Sequence, residues 1–129
     1  MKKRYICLAL VVVLFGFGCS KALEPVTETH IGGMPLDTKT RVLSKLNTPV
    51  TADATVQVPG RHESITVNIF PASLDGIVKT GIQPEVILAK DTDHFDLDKT
   101  MSRKDLTKGT YLMNIVYGGQ TERVLFSVK

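Results

Sequence analysis

From about residue 39 onward apolar and polar side chains alternate in a series of short runs. In residues 51–58, TADATVQV, Ala52, Ala54, Val56 and Val58 fall on one side and Thr51, Asp53, Thr55 and Gln57 on the other. Residues 64–70, SITVNIF, repeat the pattern with Ile65, Val67 and Ile69. A period of two belongs to an extended strand, whose successive side chains point to opposite faces, and not to a helix of period 3.6. Pro59, Gly60, Arg61 and His62 lie between the two runs, a turn composition that joins them as a hairpin. Further strands are expected at 85–89 (EVILA) and 94–98 (HFDLD), with Phe95 and Leu97 inward and His94, Asp96 and Asp98 outward. The last pair, 110–117 and 120–128, turns through Gly118 and Gly119, which reach the positive φ angles of a tight hairpin without steric cost. A seventh strand is expected at 39–44 (KTRVLS), although Asp37 suits the cap of a short helix ending near Asn47 equally well. Seven closely spaced strands separated by turn residues give an all-β chain, an antiparallel β-sandwich.

The N-terminus has a different grammar. Lys2, Lys3 and Arg4 precede the uncharged run 6–18, ICLALVVVLFGFG, which matches the charged and apolar regions of a secretory signal peptide. The run is shorter than the roughly 20 residues needed to cross a bilayer as a helix. Cys19 follows at once, preceded by Gly18, so a cut there leaves a cysteine available for lipidation; a cut behind Ala22 leaves a soluble product beginning at Leu23. The expected plan is a signal peptide at 1–18, a tether at 19–36 carrying Pro25, Pro35 and the Gly32–Gly33 pair, or in part an edge strand, and one domain at 37–129. The protein is then exported and held by lipid at Cys19 in the outer membrane or periplasm, or soluble in the periplasm or medium.

Removing the leader changes the charge. Of 16 basic and 13 acidic residues, three basics stand at positions 2 to 4, which leaves 13 of each. A balanced domain lacks the cationic surplus that nucleic acid or an anionic membrane surface demands, so contact with the membrane is expected only through the lipid. Cys7 goes with the leader and no internal disulfide is possible, so packing alone must hold the domain.

Leu106, Gly109 and Tyr111 in DLTKGTYLMNI, followed by the glycine hairpin and the ending FSVK, resemble the closing hairpin of immunoglobulin-like domains in small exported lipoproteins of Bacteroidetes. The C-terminal sorting domain of type IX secretion substrates is similar over the same region, roughly 64–129. The resemblance implies an immunoglobulin-like sandwich in which the Tyr111 hydroxyl bonds back to the turn near Gly109, as in a tyrosine corner. Ser20, Lys21 and Ala22 stand where that group's surface-export signal has acids, which points to the periplasmic side.

Chemistry is sparse. Asp91, Asp93, Asp96 and Asp98 form the densest set of hard oxygen ligands, suited to calcium, but also suited to guarding an edge strand against unwanted pairing. His30, His62 and His94 have no second His or Cys at a zinc spacing. No serine stands in a GxSxG elbow and no carboxylate pair marks an acid and a base. The expected function is therefore non-catalytic and without a cofactor: a module that contacts another envelope protein through a sheet edge or through the loop tips bearing Arg61, His62, Tyr117 and Gln120. Tyr117, beside a hairpin tip, is the aromatic expected to be exposed. The alternative is a small-ligand or calcium-binding protein using the acids of 91–98.

Overall fold

The structure, a computed structural model, describes residues 23–129. The leader, Cys19 and the cut behind Ala22 lie outside the described residues. Those residues form seven strands and no helix: β1 (His30–Ile31), β2 (Met34–Pro35), β3 (Ser44–Lys45), β4 (Thr55–Pro71), β5 (Glu85–Asp96), β6 (Gly109–Tyr117) and β7 (Gln120–Val128). They join one sheet in the order β2-β1-β4-β6-β7-β3, and β5 pairs with the other edge of β4.

The count of seven is met by a different division of the chain. The runs 51–58 and 64–70 do not form a hairpin. Residues 55–58 and 64–70 belong to one strand, β4, which passes through Pro59–Gly60–Arg61–His62 and pairs with β5 along both halves, while residues 51–54 form a turn before it. Residues 85–89 and 94–96 likewise belong to one strand, β5, and Leu97 and Asp98 follow it in a turn. Gln57 faces His94 and His62 faces Thr92, so β4 advances five residues while β5 advances two. The surplus of three is odd, and an odd surplus exchanges the two faces of a strand. That is why even-numbered Val56 and Val58 and odd-numbered Ile65, Val67 and Ile69 are all buried on one side, against Phe95 and Ile87 of β5, whose parity never changes. Gly60 sits in this excursion at φ +78°. Residues that suit a turn suit a bulge for the same reason, so composition alone did not separate the two.

The purely antiparallel expectation also needs correction. β3 runs parallel to β7, with Ser44 opposite Val124 and Lys45 opposite Leu125, and Val50 adds a parallel bridge to Val128. Leu46 and Val50 donate their N–H groups to the carbonyls of Leu125 and Ser127. The sheet is mixed because residues 44–50 follow the β7 edge in the same direction as β7 itself. Residues 39–43 are loop rather than strand, and the helix over 36–47 is not there either. Asp37 instead accepts the Asn47 N–H at 2.6 Å and closes a loop, inside which Thr40 Oγ1 accepts the Leu43 N–H at 2.9 Å.

Part of the stretch read as a tether belongs to the sheet. β1 and β2 form a hairpin through Gly32 and Gly33, at φ +59° and +80°, and β1 pairs with β4 at Val56 and Gln57, which buries Ile31. The main core lies on one side, where Ile31, Val56, Ile65, Val67, Ile69, Met113, Ile115 and Phe126 meet. A small second cluster occupies the opposite face, where Leu43 and Val78 cover Ala72, Leu112 and Leu125. Beyond that cover Leu88 and Val116 stay open, 54% and 40% exposed. The expected bond from Tyr111 is present: Leu106 is buried, and Tyr111 Oη donates to the Thr107 carbonyl at 2.7 Å.

Candidate functional site: the end where two loop tips meet

The hairpin between β6 and β7 turns on Gly118 and Gly119, both left-handed at φ +56° and +76°, with Tyr117 opposite Gln120 as the closing pair. Successive left-handed residues define the turn whose twist matches the flanking strands. Tyr117 has the parity of Met113 and Ile115 and so points to the core side. It is 5% exposed, which corrects the expectation of an open aromatic.

What covers Tyr117 is the β4 excursion. The His62 ring lies 4.8 Å from the Tyr117 ring, tilted by 60°. His62 Nε2 donates to the Pro59 carbonyl at 2.8 Å, which folds the excursion on itself and fixes the ring. A methyl group at Gly118 would come within 3.0 Å of His62 Cε1, so the absence of a side chain there is what admits the imidazole. Two tips about 55 residues apart in sequence thus interlock. Tyr117 Oη donates to Glu122 Oε1 at 3.2 Å, and Thr29 Oγ1 donates to the same oxygen at 2.5 Å, tying the segment before β1 to this end. Burial, and then the charge of the Glu122 carboxylate, raise the Tyr117 pKa above its ordinary value.

Of the four residues singled out on the loop tips, Arg61 and Gln120 are exposed, His62 is half-buried and Tyr117 is inside. All four are at one end of the sheet. Beside them lies an open groove of about 240 Å³ between residues 39–44 and the start of β7, lined by Lys39, Arg41, Ser44, Tyr117, Thr121 and Arg123 among others. The loop wall of this groove has no signal in the sequence, since KTRVLS suits a strand or the end of a short helix equally well.

The acids of 91–98 are not brought together. Asp93 Oδ1 accepts from His94 Nδ1 at 2.8 Å and Oδ2 from Gln57 Nε2 at 3.1 Å. Asp96 Oδ1 accepts from Thr55 Oγ1 at 2.6 Å, Asp91 is exposed at φ +52°, and Asp98 follows the strand with Oδ1 enclosed and unpartnered. Burial alone would raise the Asp93 pKa, but the bonds from His94 and Gln57 outweigh it, and its pKa is lowered. Among the described residues no group of three or more His, Cys, Asp or Glu side chains is placed to hold a metal ion. Compared with protein-family models, curated proteins and solved structures, the chain gives no match.

Proposed function

We propose that the protein is a non-catalytic interaction module of the cell envelope that contacts another protein through the end bearing Arg61 and Gln120. The observation that carries this reading is the interlock of His62 with Tyr117 and Gly118. It fixes two exposed tips in one place before any partner arrives, and a surface ordered in advance loses less entropy on binding. The polar groups beneath the tips are committed to structure: His62 to Pro59, and Glu122 to Thr29 and Tyr117. The leader and Cys19 support export and lipid attachment on the periplasmic side. β4 bonds to β1 at one end and β6 at the other, as a strand does when it turns a corner between two layers. With the tyrosine corner, this supports an immunoglobulin-like sandwich as the finer description of the curled sheet.

Photo-crosslinking side chains placed at position 61 or 120, in the native host, test the reading. Crosslinks to a discrete envelope protein are expected from both positions and not from position 75, in the loop that follows β4 at the far end of the sheet. Equal labelling from all three overturns it. Mass spectrometry of the N-terminal peptide reports acylated Cys19 on the lipoprotein reading and a free Leu23 on the soluble one. Calcium is expected to leave the melting temperature unchanged; a rise would move the function to the acids of 91–98.

A further inference from the structure

The groove beside β7 runs along a strand edge. Leu125 and Ser127 turn their carbonyls outward to Leu46 and Val50. Backbone groups of an antiparallel strand alternate sides, so Thr121 and Arg123, which share that parity, direct theirs outward too. β3 begins at Ser44 opposite Val124, a register in which the Ser44 N–H takes the Arg123 carbonyl, so the outward backbone groups of Gln120–Arg123 that no strand pairs are the N–H and C=O of Thr121 and the N–H of Arg123. Four residues span roughly 13 Å of edge, enough for a short added strand.

The surroundings select its charge. Lys39, Arg41 and Arg123 are exposed around the groove, and none forms an ion pair among the described residues, where the one such contact is between Asp93 and His94. Glu122, the carboxylate in the lining, has core-facing parity and is held by Thr29 and Tyr117. The other long free edge is a contrast. β5 carries Asp91, Asp93 and Asp96, and Met101 donates its N–H to the Val86 carbonyl, closing part of that edge. Charged residues on a strand normally keep other strands away. At β7 two of the three cations stand on a flanking loop, where they attract an acidic segment without blocking the backbone.

We infer that this groove receives an extended, carboxylate-bearing segment of a partner protein as an added strand beside Gln120–Arg123. The inference rests on the interaction-module reading and supplies its partner's chemistry. The probe is a short fluorescent peptide of alternating glutamate and threonine, followed by anisotropy against the purified domain at low salt. Saturable binding is expected, weakened about tenfold in Arg41→Glu/Arg123→Glu by loss of charge complementarity. It should also weaken in 1 M salt, and with a proline at the peptide's centre, which removes a ladder donor. Both substituted side chains are exposed, and an unchanged melting curve verifies that the double variant folds. Failure to bind, binding insensitive to the charge reversal, or equal affinity for the proline peptide overturns the inference; inorganic phosphate competing as well as the peptide would make the groove a simple anion site. In the host, crosslinks from position 61 but none from position 41 also overturn it while leaving the module reading standing.

Discussion

Two antiparallel pairs in this molecule look alike in sequence and are built differently. The β6–β7 hairpin holds nine consecutive residue pairs in unbroken register, from Gly109 opposite Val128 to Tyr117 opposite Gln120, around a two-glycine turn. The β4–β5 ribbon is nearly twice as long in β4, slips by three residues at Pro59–His62, and bonds to different neighbours at its two ends. Alternation states which face a side chain takes. It does not state whether the strand continues, because a turn and a bulge both interrupt the rhythm and both recruit glycine. The ribbon shows the consequence: the interruption there makes a projection on an otherwise continuous strand, and that projection closes over the hairpin tip.

The ribbon is most sensitive at the slip itself. Deleting Gly60 alone leaves a surplus of two, which would turn Thr66, Asn68 and Phe70 inward and Ile65, Val67 and Ile69 outward. Loss of cooperative unfolding is expected by circular dichroism, since turning a whole core face outward costs more than a typical domain's margin of about 5–15 kcal/mol. Deleting Gly60 and Arg61 together leaves a surplus of one, keeps both faces, and should yield a folded domain of lower melting temperature; an unfolded product would refute the parity argument.

Glycines sharpen the same contrast. Gly118→Ala meets His62 at 3.0 Å, while Gly119→Ala meets nothing within 4 Å, and both carry left-handed φ. Each is expected to cost about 1–2 kcal/mol for backbone strain, with the greater loss at position 118. His62→Ala should remove that difference in a double-mutant cycle by denaturant titration. Tyr111→Phe deletes the corner bond to Thr107 and should cost about 1 kcal/mol, a change confined to the hairpin side.

The smallest effect is electrostatic and belongs to the ribbon. The lowered pKa of Asp93 means its carboxylate stabilises the fold above the carboxyl's unfolded value, near pH 4, and loses that contribution as pH falls through the folded value. Asp93→Asn should therefore flatten the acid side of the stability profile and leave its slope between pH 6 and 8 unchanged; the same acid slope in both proteins would remove Asp93 from the account.

Much of the burial was legible. Val56, Val58, Ile65, Val67, Ile69, Phe95, Leu97, Val124, Phe126 and Val128 all face inward as their spacing requires. The glycine turn and the Tyr111 bond were legible because both are local. Gly32 and Gly33 carry the same signal as Gly118 and Gly119, but their flanking strands are two residues long, too short to show a period. The parallel β3–β7 pair and the burial of Tyr117 were not readable, since each depends on segments far apart in the chain. The groove went unseen for the same reason: its cations come from a loop and from a strand about 80 residues later.

The measurement closest to the centre of this account is a nuclear Overhauser spectrum of the His62 ring. The imidazole protons should show strong contacts to the Tyr117 ring and the Gly118 α-protons, with Val56 and Phe95 α-protons in cross-strand contact. Contacts from His62 back to residues 51–58, with none to Tyr117, would restore the hairpin at Pro59–His62 and separate the two tips on which the functional reading depends.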